Sequence, residues 1–164
     1  MSSTLKIKIK KDSYLYASTF PKIIEKGDWI DLYTAEQTEF RCRGDFQYIS
    51  LGVAIQLPDG FEAIVAPRSS TPSKYGIIMP NSIGIIDNSY CSDKDIWKMP
   101  ALCMRTGGSE VPANTRICQF RIQLSQKATF WQKFKWLFSS GIELVEVDHL
   151  NNPERGGFGS TGVK

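Results

Sequence analysis

Residues 5–10 read LKIKIK, a strict alternation of apolar and lysine side chains. Because successive side chains of a strand point to opposite faces, this alternation predicts a β-strand with one buried and one solvated face. The lysines favour an edge strand guarded against pairing with other chains over a nucleic-acid patch. Further short apolar runs follow, separated by turn signals such as Pro58-Asp59-Gly60. The runs predicted to be strands are 52–57, 61–66, 83–86, 101–105, 116–124 and 142–147.

Many short strands at this spacing are typical of an all-β sandwich, barrel or jelly roll. The chain has 164 residues, of which 41% are hydrophobic and 23% charged, so we expect one globular domain. Its net charge of +3 is too small to predict binding to nucleic acid. No apolar run approaches the roughly 18 residues of a transmembrane helix, and residues 1–11 lack the apolar block of a signal peptide. We therefore expect an intracellular protein with no membrane or nucleic-acid partner.

Side chains that bind zinc are sparse and badly spaced for it. The single histidine, His149, is expected to be a surface or structural residue. The cysteines show no paired spacing of the kind that zinc sites use, so reduced and mostly packed thiols are predicted. These cysteines are Cys42, Cys91, Cys103 and Cys118.

Segment 126–140 interrupts the β pattern. Phe130, Phe134 and Leu137 recur at helical spacing, and the lysines lie mostly elsewhere, so a helix of about four turns is predicted, with Gly141 as its terminator. Packing of its aromatic face on the protein's own sheet or on a neighbouring subunit is the favoured interpretation. Docking of another protein comes second, and association with a membrane surface comes last.

Polar groups suited to phosphate follow the predicted strand 61–66. Arg68 supplies a planar cation, and Ser69 and Ser70 supply hydroxyls and backbone N–H groups. An ordinary turn explains the same residues, because serine and proline follow closely.

Segment 81–90 combines groups that can recognise a base with a carboxylate. The Asn81 amide and the backbone around Gly84 can bind the polar edge of a base, and Asp87 is a candidate general base. Tyr90 follows across a turn, close enough to place its ring beside Asp87. A hairpin with an Asp-Asn-Ser turn is the simpler alternative.

Residues 155–164 form a glycine-rich segment that carries Arg155, Phe158, Ser160 and Thr161. Such a composition cannot bury enough apolar surface to order itself, so a mobile arm is predicted. Its backbone N–H groups, hydroxyls and cation suit a phosphate, and its aromatic ring suits a flat ligand. It is not a phosphate-binding P-loop, because Val163 stands where that motif requires lysine.

Five segments, in this order, resemble the motifs of the trimeric all-β dUTP pyrophosphatase (dUTPase) family of bacterial and phage type. The resemblance extends from about residue 5 to residue 164, and five motifs in register are far more specific than one. The matching segments are 31–35, 67–70, 84–90, 116–120 and 157–162.

The resemblance implies a jelly-roll-like β-barrel or β-prism domain over residues 1–152, with the 126–140 helix inserted. It implies a homotrimer with shared active sites, and a flexible arm over residues 153–164 that closes over a neighbouring active site. The implied reaction is Mg²⁺-dependent hydrolysis of dUTP to dUMP and pyrophosphate, in which Asp87 activates the water that attacks the α-phosphate. The implied location is the cytoplasm of a bacterium or of a phage-infected host.

The same resemblance assigns a role to each matching side chain, with Asp31 as a partner of Mg²⁺ through bound water. Asn81, Gly84, Ile86, Tyr90 and Phe158 are assigned to uracil and deoxyribose. Arg68, Ser69, Ser70, Gln119, Arg155, Ser160 and Thr161 are assigned to the phosphates.

Two departures and two alternatives accompany this interpretation. Arg155 stands about two residues closer to Phe158 than the family's usual pattern has it, and the loop 91–99 differs from the usual sequence. A dCTP deaminase, which shares a related fold, needs a catalytic glutamate, but none occurs between Ala66 and Met104. The other alternative is a dUTPase scaffold with an added regulatory role, in which the 126–140 helix binds a protein.

Overall fold

Twelve strands and two short helices make up the described residues, 3–13 and 19–157, of the computed structural model. Neither described helix has the length or the continuous apolar character needed to cross a membrane. The elements are β1 (Ser3–Lys11), β2 (Lys22–Ile23), β3 (Ile30–Tyr33), β4 (Thr38–Phe40), β5 (Phe46–Gln56), β6 (Phe61–Pro67), α1 (Thr71–Tyr75), β7 (Ile77–Ile78), β8 (Gly84–Ile86), β9 (Ile96–Cys103), β10 (Ser109–Val111), β11 (Arg116–Leu124), α2 (Phe130–Leu137) and β12 (Ser139–Glu146).

Two five-stranded sheets share one core. The strand orders are β12-β1-β5-β9-β7 in the first sheet and β2-β3-β11-β6-β8 in the second, while β10 and β4 form a separate pair. Buried side chains of both sheets belong to one hydrophobic cluster. Trp97 of the first sheet meets Phe120 of the second edge-to-face, with ring centroids 5.2 Å apart. The predicted all-β class is confirmed.

Strand β1 has the predicted buried and exposed faces, but its predicted position at the edge of a sheet is wrong. Leu5, Ile7 and Ile9 are buried, and Lys6 and Lys8 are exposed. The strand is not at an edge, however, because it pairs antiparallel with β5 and parallel with β12. Partners far along the chain decide whether a strand lies at an edge, and a local pattern does not contain that information.

The inserted helix is shorter than predicted, because a capping box starts it late. The Thr129 hydroxyl accepts from the backbone N–H of Gln132, and the Gln132 side chain accepts from the Thr129 N–H. The chain then pairs with β1 from Ser139, so the helix ends at Leu137. Gly141 is not its terminator but lies inside β12.

Helix α2 touches the sheets beneath it at few points. Trp136 packs on Phe61 with ring centroids 5.3 Å apart, and the side chain of Gln132 lies over Gly60. None of its residues is buried. The prediction that the aromatic face packs on the protein's own sheet is therefore wrong. Packing on a neighbouring subunit stays a prediction.

Candidate active site

A pocket of about 610 Å³ lies beside β8 and the turn that follows it. Strand β8 pairs with β6, and Asn88 fixes the turn by donating to the carbonyls of Leu57 and Pro58 at 3.2 and 2.8 Å. The sequence did not single out Asn88, whose amide anchors the turn to the β5–β6 connection. Six residues assigned to the site lie together in this pocket: Asn81, Gly84, Ile86, Asp87, Tyr90 and Arg155.

The Tyr90 ring forms a wall of this pocket. Burial, and then the nearby Asp95 carboxylate, raise the pKa of its phenol, which therefore stays neutral near pH 7. Its hydroxyl donates to the Ile96 carbonyl at 3.4 Å, and Gly157 lies against the ring. A Cβ at position 157 would come within 2.7 Å of the ring, so this close approach requires glycine.

Trp97 is part of the pocket lining and was missed as a site residue. The sequence placed Trp97 in a loop, 91–99, but it lies in β9 and is only 1% exposed. Strand β9 buries every second side chain from Trp97 onward, and this alternation is the signal that would have identified its inward position.

A second polar group lies where β3, β11 and β6 run side by side. Asp31 is 2% exposed and holds two guanidinium groups, Arg68 Nε and Arg116 Nη1, each 3.3 Å from one of its oxygens. Gln119 is in register with Asp31 on β3 and with Ala66 on β6. Arg116 lies in the matching segment 116–120 but received no role from the sequence, and the structure adds it to this group.

The serines of this group are accessible. Ser69 and Ser70 are exposed in the turn between β6 and α1, next to Arg68. The side chain of Ser70 does not cap α1, although it occupies the N-cap position. The two serines directly follow Arg68, which shares Asp31 with Arg116, and hydroxyl and guanidinium groups together suit phosphate oxygens.

The two groups lie at opposite ends of β6. Ile86 is in register with Ala63, so Asp87 lies beside the start of the strand, about level with Glu62. Arg68 follows the other end of the strand. Six residues at about 3.3 Å each put the two positions roughly 20 Å apart along the strand. A single chain therefore does not bring Asp87 and the Arg68 group together.

The chain after β12 returns to the first pocket. Leu150 is buried, and its N–H donates to Asp93 at 2.6 Å. Arg155 Nη1 lies 2.9 Å from Asp87 Oδ2. Phe158, Ser160 and Thr161 lie outside the described residues, so their assigned roles stay predictions.

A family model of dUTPases matches residues 26–127. The chain belongs to the dUTPase family. It is 44% identical over 141 residues to the SPbeta prophage-derived deoxyuridine 5'-triphosphate nucleotidohydrolase of Bacillus subtilis, covering 86% of this chain and 88% of that protein. It is 33% identical to the enzyme of the same name from Thermobifida fusca, covering 87% of this chain and 72% of that protein.

Solved dUTPases share the fold. The Streptococcus mutans dUTPase superposes with a TM-score of 0.65 at 23% identity and covers 71% of this chain and 94% of its own. A mutant of the Staphylococcus bacteriophage 80alpha dUTPase superposes with a TM-score of 0.62 at 18% identity and covers 96% and 98%. The resemblance inferred from the five sequence motifs is confirmed.

The dUTPase site offers Mg²⁺ few protein ligands. The described residues contain no cluster of three or more histidine, cysteine or acidic side chains able to hold a metal ion. Asp31 is already paired with two guanidinium groups, and it accepts a hydrogen bond from Arg116. These residues fit a hydrated cation that arrives on a polyphosphate, and they do not form a cage of protein ligands.

The buried position of Asp31 predicts a structural role beside any role toward Mg²⁺. We expect Asp31→Asn to lower the free energy of unfolding by roughly 1.5–3 kcal/mol, because this buried carboxylate pairs with two guanidinium groups and accepts a charged hydrogen bond from Arg116. Asp28→Asn is the control, since Asp28 and Arg121 form an exposed pair whose loss should cost under about 1 kcal/mol. Urea denaturation measures both variants. Equal stability of Asp31→Asn and wild type would contradict a structural role.

Proposed function

We propose that this dUTPase-family chain hydrolyses dUTP to dUMP and pyrophosphate, in sites shared between the subunits of a homotrimer. The observation that carries the proposal is the position of Asp87 and of the Arg68 group at opposite ends of β6. The first pocket supplies the groups for base, sugar and water, and the second group supplies the cations for phosphate.

Recognition of uracil is assigned to the hairpin around β8. This strand is last in its sheet, so within the described chain no other strand pairs with its second edge. Its backbone N–H and C=O groups, together with the Asn81 amide, can pair with the polar edge of uracil. Cytosine presents different groups at that edge and would leave buried partners unpaired. The described lining contains no glutamate, which weighs against a deaminase.

The chemical step is assigned to Asp87. Its carboxylate accepts a proton from a water molecule, whose oxygen forms a bond to the α-phosphorus. The bond from that phosphorus to the bridging oxygen breaks, and pyrophosphate leaves. Tyr90 lies against the deoxyribose, where its ring leaves no room for a 2′-hydroxyl.

The triphosphate is assigned to the Arg68 group of another subunit. Arg68 and Arg116 neutralise charge, while Ser69, Ser70 and Gln119 donate to phosphate oxygens. Mg²⁺, when bound to the triphosphate, would neutralise its charge and that of the leaving pyrophosphate, with Asp31 as its partner through water.

Two arguments, one from distance and one from symmetry, favour a ring of identical chains. A triphosphate is much shorter than the roughly 20 Å between Asp87 and Arg68 in one chain, which favours a site completed by a second copy. The two half-sites occupy different surfaces, and joining such surfaces head to tail closes a ring. The trimer implied by the family resemblance is the assembly that we propose.

The arm and the location stay at the level of prediction. Phe158, Ser160 and Thr161 are proposed to close over uracil and phosphate, with 153–164 acting as the arm of the 1–152 domain. Residues 155–157 line the pocket of their own chain. A location in the bacterial or phage-infected cytoplasm is likewise proposed.

The proposal is tested by measuring pyrophosphate release from each dNTP in the presence of Mg²⁺. We expect release from dUTP alone, and at least a thousand-fold loss of turnover in Asp87→Asn, since a general base contributes about 10²–10⁴-fold and the attacking water is also lost from position. Binding of dUMP, followed by calorimetry, should survive in this variant. Near-wild-type turnover of Asp87→Asn would contradict the assigned mechanism.

We also propose a second, non-catalytic role for α2 as a docking surface for a protein. Four of its apolar side chains project from the domain: Phe130, Trp131, Phe134 and Leu137 are 71%, 73%, 46% and 75% exposed. Monomeric proteins rarely expose such contiguous apolar patches unless they bind something. The three aromatic rings of this group pack against one another, with centroids 5.6–6.3 Å apart.

The geometry of α2 matches a helix that is held in the groove of a partner. At about 100° per residue, its exposed apolar side chains cover one arc, opposite Gln132 and Trp136, which hold the helix to the domain. Lys133 and Lys135 flank that arc on its two sides. An apolar groove with carboxylates at its rim is the complementary surface. Structurally similar phage dUTPases, among them that of Staphylococcus bacteriophage 80alpha, control the transfer of virulence genes.

A triple variant, Trp131→Ser, Phe134→Ser and Leu137→Ser, separates docking from assembly. We expect hydrolysis of dUTP within about two-fold of wild type and an unchanged trimer, because exposed substitutions rarely shift stability by more than about 0.5 kcal/mol. Trp136→Ser is the control, and we expect it to lower the melting temperature because its ring packs on Phe61. Point variants are preferred to deletion of 126–140, which would remove the start of β12.

Sedimentation measures whether the triple variant is still a trimer, and pyrophosphate release measures its hydrolysis of dUTP. Loss of the trimer or of hydrolysis would contradict the docking role, because it would show that a neighbouring subunit covers this face.

A further inference from the structure

Residues 149–154 form a strap that contacts the loop 91–95. Strand β12 ends at Glu146, and the Val147 N–H still donates to the Ile9 carbonyl at 3.0 Å. The strap itself belongs to no helix or strand. Its position therefore depends on contacts of individual side chains and N–H groups with the rest of the chain.

Two neighbouring residues of the strap meet at one carboxylate, that of Asp93. Its Oδ1 accepts from the backbone N–H of Leu150 at 2.6 Å, and its Oδ2 lies 3.0 Å from His149 Nδ1. The Leu150 hydrogen bond, more than any other contact, lowers the pKa of the Asp93 carboxyl, which is therefore ionised near pH 7. Leu150 is also buried, with 6% of its surface exposed. One side chain thus holds two consecutive residues of the strap.

Asp93 stands on a loop that is itself tightly bonded. The Ser92 N–H donates to the Asp95 carboxylate at 2.9 Å, and the Asp95 N–H donates to the Ser92 carbonyl at 3.2 Å. Both residues are only 3% exposed. A second tie to the strap comes from the Asn152 amide, which donates to the Cys91 carbonyl at 3.0 Å. The strap is therefore docked on a support with little freedom to open locally.

The docked strap shortens the part of the chain that is free to close. Beyond it lie residues 155–164, which span at most about 35 Å when extended. Without the strap contacts, the free segment would begin after Val147 and would comprise residues 148–164. A longer free segment loses more conformational entropy when its end is fixed on a ligand. Docking of the strap therefore lowers the entropic cost of closing the arm.

We propose that Asp93 is a positioning residue for the reaction, because it fixes the starting point of the arm that closes over a neighbouring active site. This inference rests on the proposed function and assigns a role to a residue that lies outside the described pocket lining. When the nucleotide binds, the arm carries Phe158 to the base from a defined origin. Loss of the Asp93 carboxylate frees the strap, so the closed arm becomes rarer at the same concentration of dUTP.

The competing explanation is that Asp93 only stabilises the domain. In that case its loss would affect hydrolysis equally whether or not the arm can bind the ligand. A double-mutant cycle separates the two explanations, because a residue that acts through the arm loses its effect when the contacts of the arm are removed.

The cycle uses full-length wild type, Asp93→Ala, an arm variant and the combination of the two. The arm variant carries Phe158→Ala, Ser160→Ala and Thr161→Ala, the three side chains of the arm that are proposed to close over uracil and phosphate. Pyrophosphate release gives kcat/KM for dUTP. Calorimetry gives the dissociation constant of a dUTP analogue with an imido group between the α- and β-phosphates, which resists hydrolysis. Asp148→Ala is the matched control, because Asp148 is an exposed aspartate directly before the strap.

We expect Asp93→Ala to lower kcat/KM about three- to ten-fold and to weaken binding of the analogue by a similar factor, the range that loss of one net hydrogen bond gives. In the arm variant, the same substitution should change both quantities by less than about 1.5-fold. Asp93→Asn keeps an acceptor oxygen for the Leu150 N–H and should restore part of the loss. Asp148→Ala should stay within about 1.5-fold of wild type.

An equal loss in both backgrounds, or no loss in either, would overturn the positioning role and leave the proposed hydrolysis untouched. An arm variant as active as wild type would overturn the role of the arm and this inference with it. A wild-type chain that releases no pyrophosphate from dUTP would overturn the proposed function itself.

Discussion

The pairing of β6 with β8 on one side and β11 on the other decides where every group of the site lies. Ala63 and Val65 are buried at the centre of this arrangement and are in register with Ile86 and Gly84. A slip of one residue would turn these side chains to the opposite faces, so the buried core fixes the register strongly. The same register carries Asp87 to one end of β6 and Arg68 to the other. The separation of Asp87 from the Arg68 group is thus a consequence of core packing.

Each of the two polar groups combines a rigid support with charged side chains that reach solvent. At the Arg68 end, the buried Asp31 carboxylate orients two guanidinium groups whose outer faces reach solvent. At the Asp87 end, Asn88 and the Tyr90 turn hold the carboxylate in place, while Arg155 approaches from the strap. Fixed supports of this kind lower the cost of positioning a flexible triphosphate, and positioning is most of what such a hydrolysis requires of a protein.

Local patterns predicted a large part of this structure. The alternation in β1 predicted its buried and exposed faces, the run 116–124 predicted β11 with the bounds that the structure has, and segment 81–90 proved to line one pocket. Features that depend on distant partners were not predictable. The interior position of β1 depends on its pairing with β12, and the early end of α2 depends on that same pairing. The burial of Trp97 depends on Phe120 in the other sheet, and the pair of Arg155 with Asp87 joins positions 68 apart in sequence.

The claim that two copies build each site is tested most directly by mixing two inactive variants. Asp87→Asn and Arg68→Gln are unfolded together in equal amounts, refolded, and assayed for pyrophosphate release from dUTP. Each variant refolded alone is the control and should be inactive. If each site takes Asp87 from one subunit and Arg68 from the next, random mixing restores roughly a quarter of the wild-type sites. Mixed trimers without activity would contradict the account, because they would show that both residues must belong to the same chain.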